Sequence, residues 1–246
     1  MGRRAQEPSA RHRKFILSLP KDVVIDPSEL TARLDERGYA VVPGLLDAAT
    51  CAELTAAYDD GPLFRSTIVM QRHGYGRGEY RYFRYPLPPL VQTLRETLYA
   101  ALVPAANAWA ERLGSKVRFP AALPLMLELC ADAGQARPTA LLLRYRAGDY
   151  NALHQDVYGE VAFPLQATIL LSDPATFTGG DFVLVEAKPR KQSVAHVVPL
   201  ALGDCVVFPN RLRPNAEAGR STFRHGVAEL RGGTRVTLGI ILHDAQ

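Results

Sequence analysis

Cysteine is scarce: three in 246 residues, at 51, 130 and 205, an odd number with no pair at the short spacing of a metal clip. A disulfide framework and a cysteine-built metal centre are therefore set aside, and a reducing compartment, the cytoplasm, is expected. Cys205 precedes Val206-Val207-Phe208 and reads as a small buried hydrophobe. Long apolar runs are missing as well. None approaches the roughly 18 residues of a membrane-spanning helix. The opening MGRRAQEPSARHRK is basic but lacks the apolar segment of a secretory signal. Internal repeats and low-complexity tracts are absent. Charge of one sign is not in large excess: the formal net charge is +4, which does not by itself mark a nucleic-acid binder.

The remainder has a globular composition, 47% hydrophobic and 22% charged, which argues against disorder beyond the ends. Arg3, Arg4, Arg11, Arg13 and Lys14 make residues 1–20 a basic flexible arm. Residues 21–246 read as one domain, with a helical N-terminal region over 21–135 and a β-rich core over 136–246.

Asp26-Pro27-Ser28-Glu29 is a helix start: Asp26 caps, Pro27 suits the first turn, and Gly38 stops the helix. A short strand at 39–42 and a second helix over 47–59 follow. Residues 89–113 are helical by composition, with Pro104 interrupting them. The apolar segment 123–129 fits helix or strand. From about residue 139 short β-rich runs appear, at 140–145, 166–171, 182–185, 194–198, 204–208, 223–230 and 235–242, punctuated by Gly, Pro, Asp and Asn. This spacing indicates an α+β chain with a mainly β core: a jelly roll, with the N-terminal helices packed on its major sheet.

Within the β-rich half lies Leu153-His154-Gln155-Asp156. Residues two apart on an extended segment share a face, so His154 and Asp156 can reach one metal ion. An imidazole and a carboxylate, joined by one more His, form a facial triad that leaves iron(II) open positions. The chain has six His. His12 lies in the basic arm, His73 precedes the β region, His196 suits an ordinary strand position, and His243 has no Arg or Lys after it. His225 fits best, because Arg235 follows ten residues later with Thr237 on the same strand face. A guanidinium fork beside a hydroxyl suits a buried carboxylate. A simple hairpin turning at Gly232-Gly233 would leave Arg235 about 16 Å along the strand from His225. The chain is therefore expected to cross between two sheets at Gly232-Gly233. Tyr145, in Arg144-Tyr145-Arg146-Ala147-Gly148, offers a second hydroxyl near the metal strand.

RYRAGDYNALHQD resembles the RYxxG…HxD entry of prolyl 4-hydroxylases and of the alkylated-DNA-repair dioxygenases, and the LHQD tetrapeptide is similar to the latter. Gly179-Gly180 before a strand, Gly203-Asp204 before Val206-Val207-Phe208-Pro209, His225 and Arg235 continue the likeness over about residues 140–242. The resemblance implies a double-stranded β-helix (a cupin-like jelly roll) and a 2-oxoglutarate-dependent non-haem iron dioxygenase. It implies Fe(II) at His154, Asp156 and His225, 2-oxoglutarate at Arg235 with Tyr145 and Thr237 as helpers, and O2 as co-substrate. One departure stands out: prolyl hydroxylases usually carry Tyr three residues before the first His, where this chain has Asn151. The whole chain, through RHGYGRGEYRYFRYPLP, also resembles a bacterial family of 2-oxoglutarate–Fe(II) oxygenases expected to modify nucleic acid.

Between residues 72 and 85 arginines alternate with aromatics. Arg77, Arg81 and Arg84 could meet phosphates while Tyr80 and Tyr82 stack on bases. The expected reaction is hydroxylation or oxidative demethylation, with nucleic acid as the first substrate class. A protein side chain, as in prolyl hydroxylases, or a small metabolite is the alternative. A jelly roll that binds metal without redox chemistry is the third reading, and an ordered loop with packed aromatics and solvated arginines is the plain one.

Overall fold

The computed structural model describes residues 25–215, 217 and 219–246. The basic arm at 1–20 lies outside them. α1 (Pro27–Arg37) begins as the sequence indicates, with the Asp26 carboxylate accepting from the Ser28 N–H, and ends at Gly38 in the left-handed conformation. β1 (Ala40–Val42) and α2 (Ala48–Ala57) follow, α2 capped by Asp47. Then come β2 (Phe64–Val69), β3 (Gly76–Arg77) and β4 (Glu79–Phe83), the long α3 (Pro89–Arg112) and α4 (Leu123–Asp132).

The second half is strands apart from one 3-10 turn at Pro174–Thr176: β5 (Leu141–Arg146), β6 (Tyr150–His154), β7 (Leu165–Leu170), β8 (Phe177–Gly179), β9 (Phe182–Ala187) and β10 (Val194–Val198). β11 (Cys205–Pro209), β12 (Leu212–Asn215), β13 (Gly219–Val227) and β14 (Leu230–Ile241) complete it.

Two antiparallel sheets result. The larger runs β1-β11-β7-β14-β5-β4-β2, with β8 against the start of β14. The smaller runs β10-β9-β13-β6-β3, with β12 on β13. The expected jelly roll is the observed fold, and α2 and α3 cover β14 and β7 of the larger sheet. No helix among the described residues is long and apolar enough to cross a membrane.

Alternation explains the layering. Along β14 and into Leu242 just past its end, Val236, Leu238, Ile240 and Leu242 join the cluster under the helices, whereas Arg235, Thr237, Gly239 and Ile241 line the cavity between the sheets. Leu238 is fully buried on a strand flanked by β5 and β7. Leu238→Ala is expected to cost about 2–5 kcal/mol, read as a lowered midpoint in urea unfolding; an unchanged midpoint would mean that this layer is not the core.

Three expectations change. Pro104 does not interrupt α3, which runs unbroken through it. Pro104 and Ala100, whose carbonyl loses its partner, are both exposed, so water can take the bond, while Leu98, Leu102, Ala105 and Trp109 hold the helix on the core. The helical region over 21–135 also contributes strands: β2 and β4 widen the larger sheet and β3 the smaller. Finally, the chain does cross between sheets after His225, but at Ala228-Glu229 rather than at Gly232-Gly233. Those two glycines lie inside β14, where Gly233 has φ 81° and an added Cβ would sit 2.2 Å from the Thr176 carbonyl oxygen. They allow β8 to approach, not the chain to turn.

Candidate metal and keto-acid site

His154, the last residue of β6, and His225 on β13 are cross-strand partners, with ring centroids 4.1 Å apart. Asp156 lies two residues past the end of β6. Its Oδ1 is 3.5 Å from His154 Nε2 and its Oδ2 3.3 Å from His225 Nε2. One ligand atom from each of the three lies within 4.8 Å of the others. These are two imidazoles and a carboxylate, the donor set that suits a hard-to-borderline divalent cation with open positions. His154 Nδ1 faces the Ala152 carbonyl at 2.8 Å, which favours the tautomer with Nε2 free to ligate.

The electrostatics agree with a ligand set. Burial alone would raise the Asp156 carboxyl. The hydrogen bond and charge of His225, the charge of His154 and the Tyr158 hydroxyl outweigh it and hold the group well below the usual carboxylate range. Burial, with the neighbouring His154 charge, lowers His225. Asp156 is thus ionised and His225 neutral near pH 7, the forms that coordinate.

Around these residues lies a cavity of about 330 Å³. β14 supplies Arg235 and Thr237, β5 supplies Tyr145, and Arg235 pairs with Tyr145 in the register of the two strands. Arg235 is 2% exposed, and its Nη1 has no hydrogen-bond partner among the described residues. Its guanidinium carbon sits 5.8 Å from the Tyr145 ring centre. Burial lowers Arg235 from its ordinary value, partly countered by Tyr145 and by the charge of Asp181. A buried guanidinium without a carboxylate is costly. A dicarboxylate in this cavity would satisfy it, so the residues present fit a keto acid as well as a metal.

The aromatic stretch divides. Tyr80 and Tyr82, two apart on β4, line the cavity, their rings edge to face at 5.3 Å. Arg81 points the other way. It donates to the Tyr58 carbonyl, pairs with Glu79 and lies over the Tyr58 ring, so strand alternation removes it from the candidate substrate contacts. Arg84 is exposed just past β4, and Arg77 is exposed on the edge strand β3; neither lines the cavity.

Three further lining residues bear on the site. Asn151 takes the place of the expected Tyr and donates to the Tyr145 hydroxyl at 3.4 Å. Tyr158 donates to Asp156 Oδ1 at 2.6 Å. Tyr75 stands at the mouth, half exposed and stacked on His73 with centroids 5.3 Å apart. Only Tyr75 lay within the aromatic stretch already singled out.

A jelly roll with a His-Asp-His cluster, His154 partly and the other two fully buried, and an unpaired arginine between its sheets defines a 2-oxoglutarate-dependent non-haem iron dioxygenase, with Fe(II) and 2-oxoglutarate as cofactors. More narrowly, residues 78–245 match the family described as "Oxygenase, catalysing oxidative methylation of damaged DNA", and the chain belongs to that family. Two uncharacterized proteins from two strains of Mycobacterium tuberculosis are each 45% identical over 167 residues, covering 66% of this chain and 72% of theirs. The fold is shared with a prolyl hydroxylase of Trichoplax adhaerens, solved with a hypoxia inducible factor peptide fragment (TM-score 0.54, 12% identity, 87% of this chain and 86% of that one). It is also shared with the non-heme alpha ketoglutarate dependent epimerase SnoN from nogalamycin biosynthesis (TM-score 0.50, 19% identity, 87% and 80%).

Proposed function

We propose that this oxygenase acts on a base of nucleic acid, hydroxylating it or removing an N-methyl group. The observation that carries the reading is the aromatic path from mouth to metal: the exposed His73–Tyr75 stack outside, then Tyr80 and Tyr82 along the wall that leads to Asp156. Flat rings in this order suit a base withdrawn from its strand. Exposed Arg72, Arg77 and Arg146 lie on the segments that form or adjoin the mouth and supply positive charge for a phosphate backbone. The family description points the same way.

In this reading His154, Asp156 and His225 hold the iron. Arg235 grips the far carboxylate of 2-oxoglutarate, flanked by the Thr237 and Tyr145 hydroxyls, with Asn151 fixing Tyr145. Phe182 and Phe208, whose ring centroids are 6.1 and 4.7 Å from that of His225, keep that side of the site dry. When bound, iron with 2-oxoglutarate supplies oxidative decarboxylation: O2 and the keto acid give succinate and CO2, and one oxygen atom enters a substrate C–H bond. An N-methyl group so hydroxylated leaves as formaldehyde. The three free, buried cysteines fit a cytoplasmic setting.

The test is binding of single-stranded DNA by fluorescence anisotropy across a salt series, with formaldehyde release from methylated oligonucleotides as the activity readout. Tyr75→Ala should weaken binding roughly 10-fold, within the 1–3 kcal/mol of one stacked base. A wild-type protein with no salt-sensitive affinity for nucleic acid and no formaldehyde release would sink the reading and leave a protein side chain or metabolite as substrate.

A further inference from the structure

Tyr158 is a cavity residue to which the keto-acid chemistry gives no part. It lies two residues beyond Asp156, off the end of β6, and its hydroxyl donates to Asp156 Oδ1 at 2.6 Å. A carboxylate can only accept, so the single Tyr158 proton is committed to it. The same oxygen then accepts from the Tyr82 hydroxyl at 3.1 Å. Tyr82 is held in turn by the Arg65 guanidinium, 4.4 Å above its ring centre, and by the edge of Tyr80. Two hydroxyls thus run in one direction from β4 into the carboxylate.

The backbone behind Tyr158 is fixed as well. Gln135 is fully buried, and its amide nitrogen faces the carbonyls of Tyr158, Val161 and Asp244 at 2.9, 2.9 and 2.6 Å. Its amide oxygen accepts from the Val161 N–H at 2.8 Å. Position 158 has left the regular ladder, and this buried amide replaces the hydrogen bonds that a strand would have provided.

We propose that Tyr158 is a positioning residue that makes Asp156 a one-oxygen ligand. The inference rests on the reading of His154, Asp156 and His225 as metal ligands. With Oδ1 engaged by Tyr158, Oδ2 is the oxygen left for the cation. A carboxylate released from that bond can turn and offer both oxygens, which occupies a coordination position that the keto acid and O2 need. The arrangement also places a member of the aromatic wall, Tyr82, one hydrogen bond from the ligand's own partner. A base stacked on Tyr80 and Tyr82 would therefore act on the same hydroxyl that orients Asp156.

The test is anaerobic titration of the metal-free protein with Co(II), following affinity and the visible d–d spectrum, with Asp156→Ala and Tyr158→Phe beside the wild type. The phenylalanine keeps the ring and removes only the hydroxyl. Tyr158→Phe is expected to bind Co(II) about 10-fold more weakly, the usual cost of losing a ligand's hydrogen-bond partner, with a changed d–d spectrum and an unchanged thermal midpoint in the absence of metal. Tyr82→Phe, which leaves the Tyr158–Asp156 bond in place, should shift affinity less and keep the wild-type spectrum. Wild-type affinity and spectrum in Tyr158→Phe would overturn the proposal. A weaker affinity with the wild-type spectrum and a lowered thermal midpoint would also overturn it, since lost packing would then explain the change. A wild-type protein that binds Co(II) no better than Asp156→Ala would bring down the metal reading itself, a result distinct from either.

Discussion

Asp156→Ala is expected to abolish iron-dependent release of succinate from 2-oxoglutarate, lowering the rate by on the order of 10³-fold. Asp156 is the sole carboxylate in the cluster, and only two imidazoles remain without it. A charged ligand removed from a buried site forfeits several kcal/mol of cation stabilisation, and about 4 kcal/mol corresponds to that factor. The loss should appear first in metal affinity. Recovery of part of the rate is tested at saturating iron, and Asp156→Glu serves as the conservative comparison, since it restores the charge one methylene further out. The substitution also removes the partner of the His225 and His154 Nε2 atoms and of the Tyr158 hydroxyl. A thermal scan of the metal-free variant therefore accompanies the assay, so that lost folding is told apart from lost chemistry. Wild-type succinate release by a folded Asp156→Ala protein would refute the triad.

Much of this centre was legible because its signals are short-range and chemical. His154 and Asp156 are neighbours in the chain, and Arg235 and Thr237 share a face by strand periodicity alone. The jelly roll was legible from β-branched runs spaced by turn residues. The illegible parts are those that tertiary contacts decide. β4 carries Tyr80 and Tyr82 on one face and Glu79, Arg81 and Phe83 on the other, so aromatic and polar side chains occur on both and no apolar–polar alternation announces a strand. Arg81 looked like a phosphate contact because its charge is visible in the sequence and its Tyr58 and Glu79 partners are not. Pro104 carried a real local penalty that the buried stripe of α3 overrides. The sheet crossing was correctly required by the reach from His225 to Arg235. Its position at Ala228-Glu229 was hidden because two glycines nearby offered a more obvious turn. Tyr158 gave no signal at all: a spacing of two after Asp156 means nothing once the chain has left β6 at His154.

Arg235→Met is expected to raise the 2-oxoglutarate concentration needed for half-maximal turnover roughly 10²-fold, while the ligand-free protein becomes no less stable and gains if anything. The two halves of this expectation share one cause. Arg235 is buried and makes no ion pair with a carboxylate among the described residues, so Tyr145 and the more distant charge of Asp181 offset its desolvation only in part. Methionine fills much of the same space with no charge to desolvate, and replacing buried ionic groups by apolar ones is often neutral or stabilising. The neighbours allow it: the side chain lies against Gly180, whose missing Cβ would fall 3.0 Å from Arg235 Cδ, and over Tyr145. A keto acid, by contrast, loses the charge-assisted hydrogen bonds of its far carboxylate, about 3 kcal/mol for a buried pair, which is the hundredfold. Ligand and protein thus stabilise each other through a single guanidinium, and a thermal shift reads both sides. In the wild type the midpoint should climb as 2-oxoglutarate is added, by mass action on the folded state. In Arg235→Met the starting midpoint should be equal or higher and the climb should be lost over the same concentrations. A variant with a wild-type 2-oxoglutarate requirement would place the anchor elsewhere. A variant that unfolds without ligand would show that the arginine has a structural partner after all.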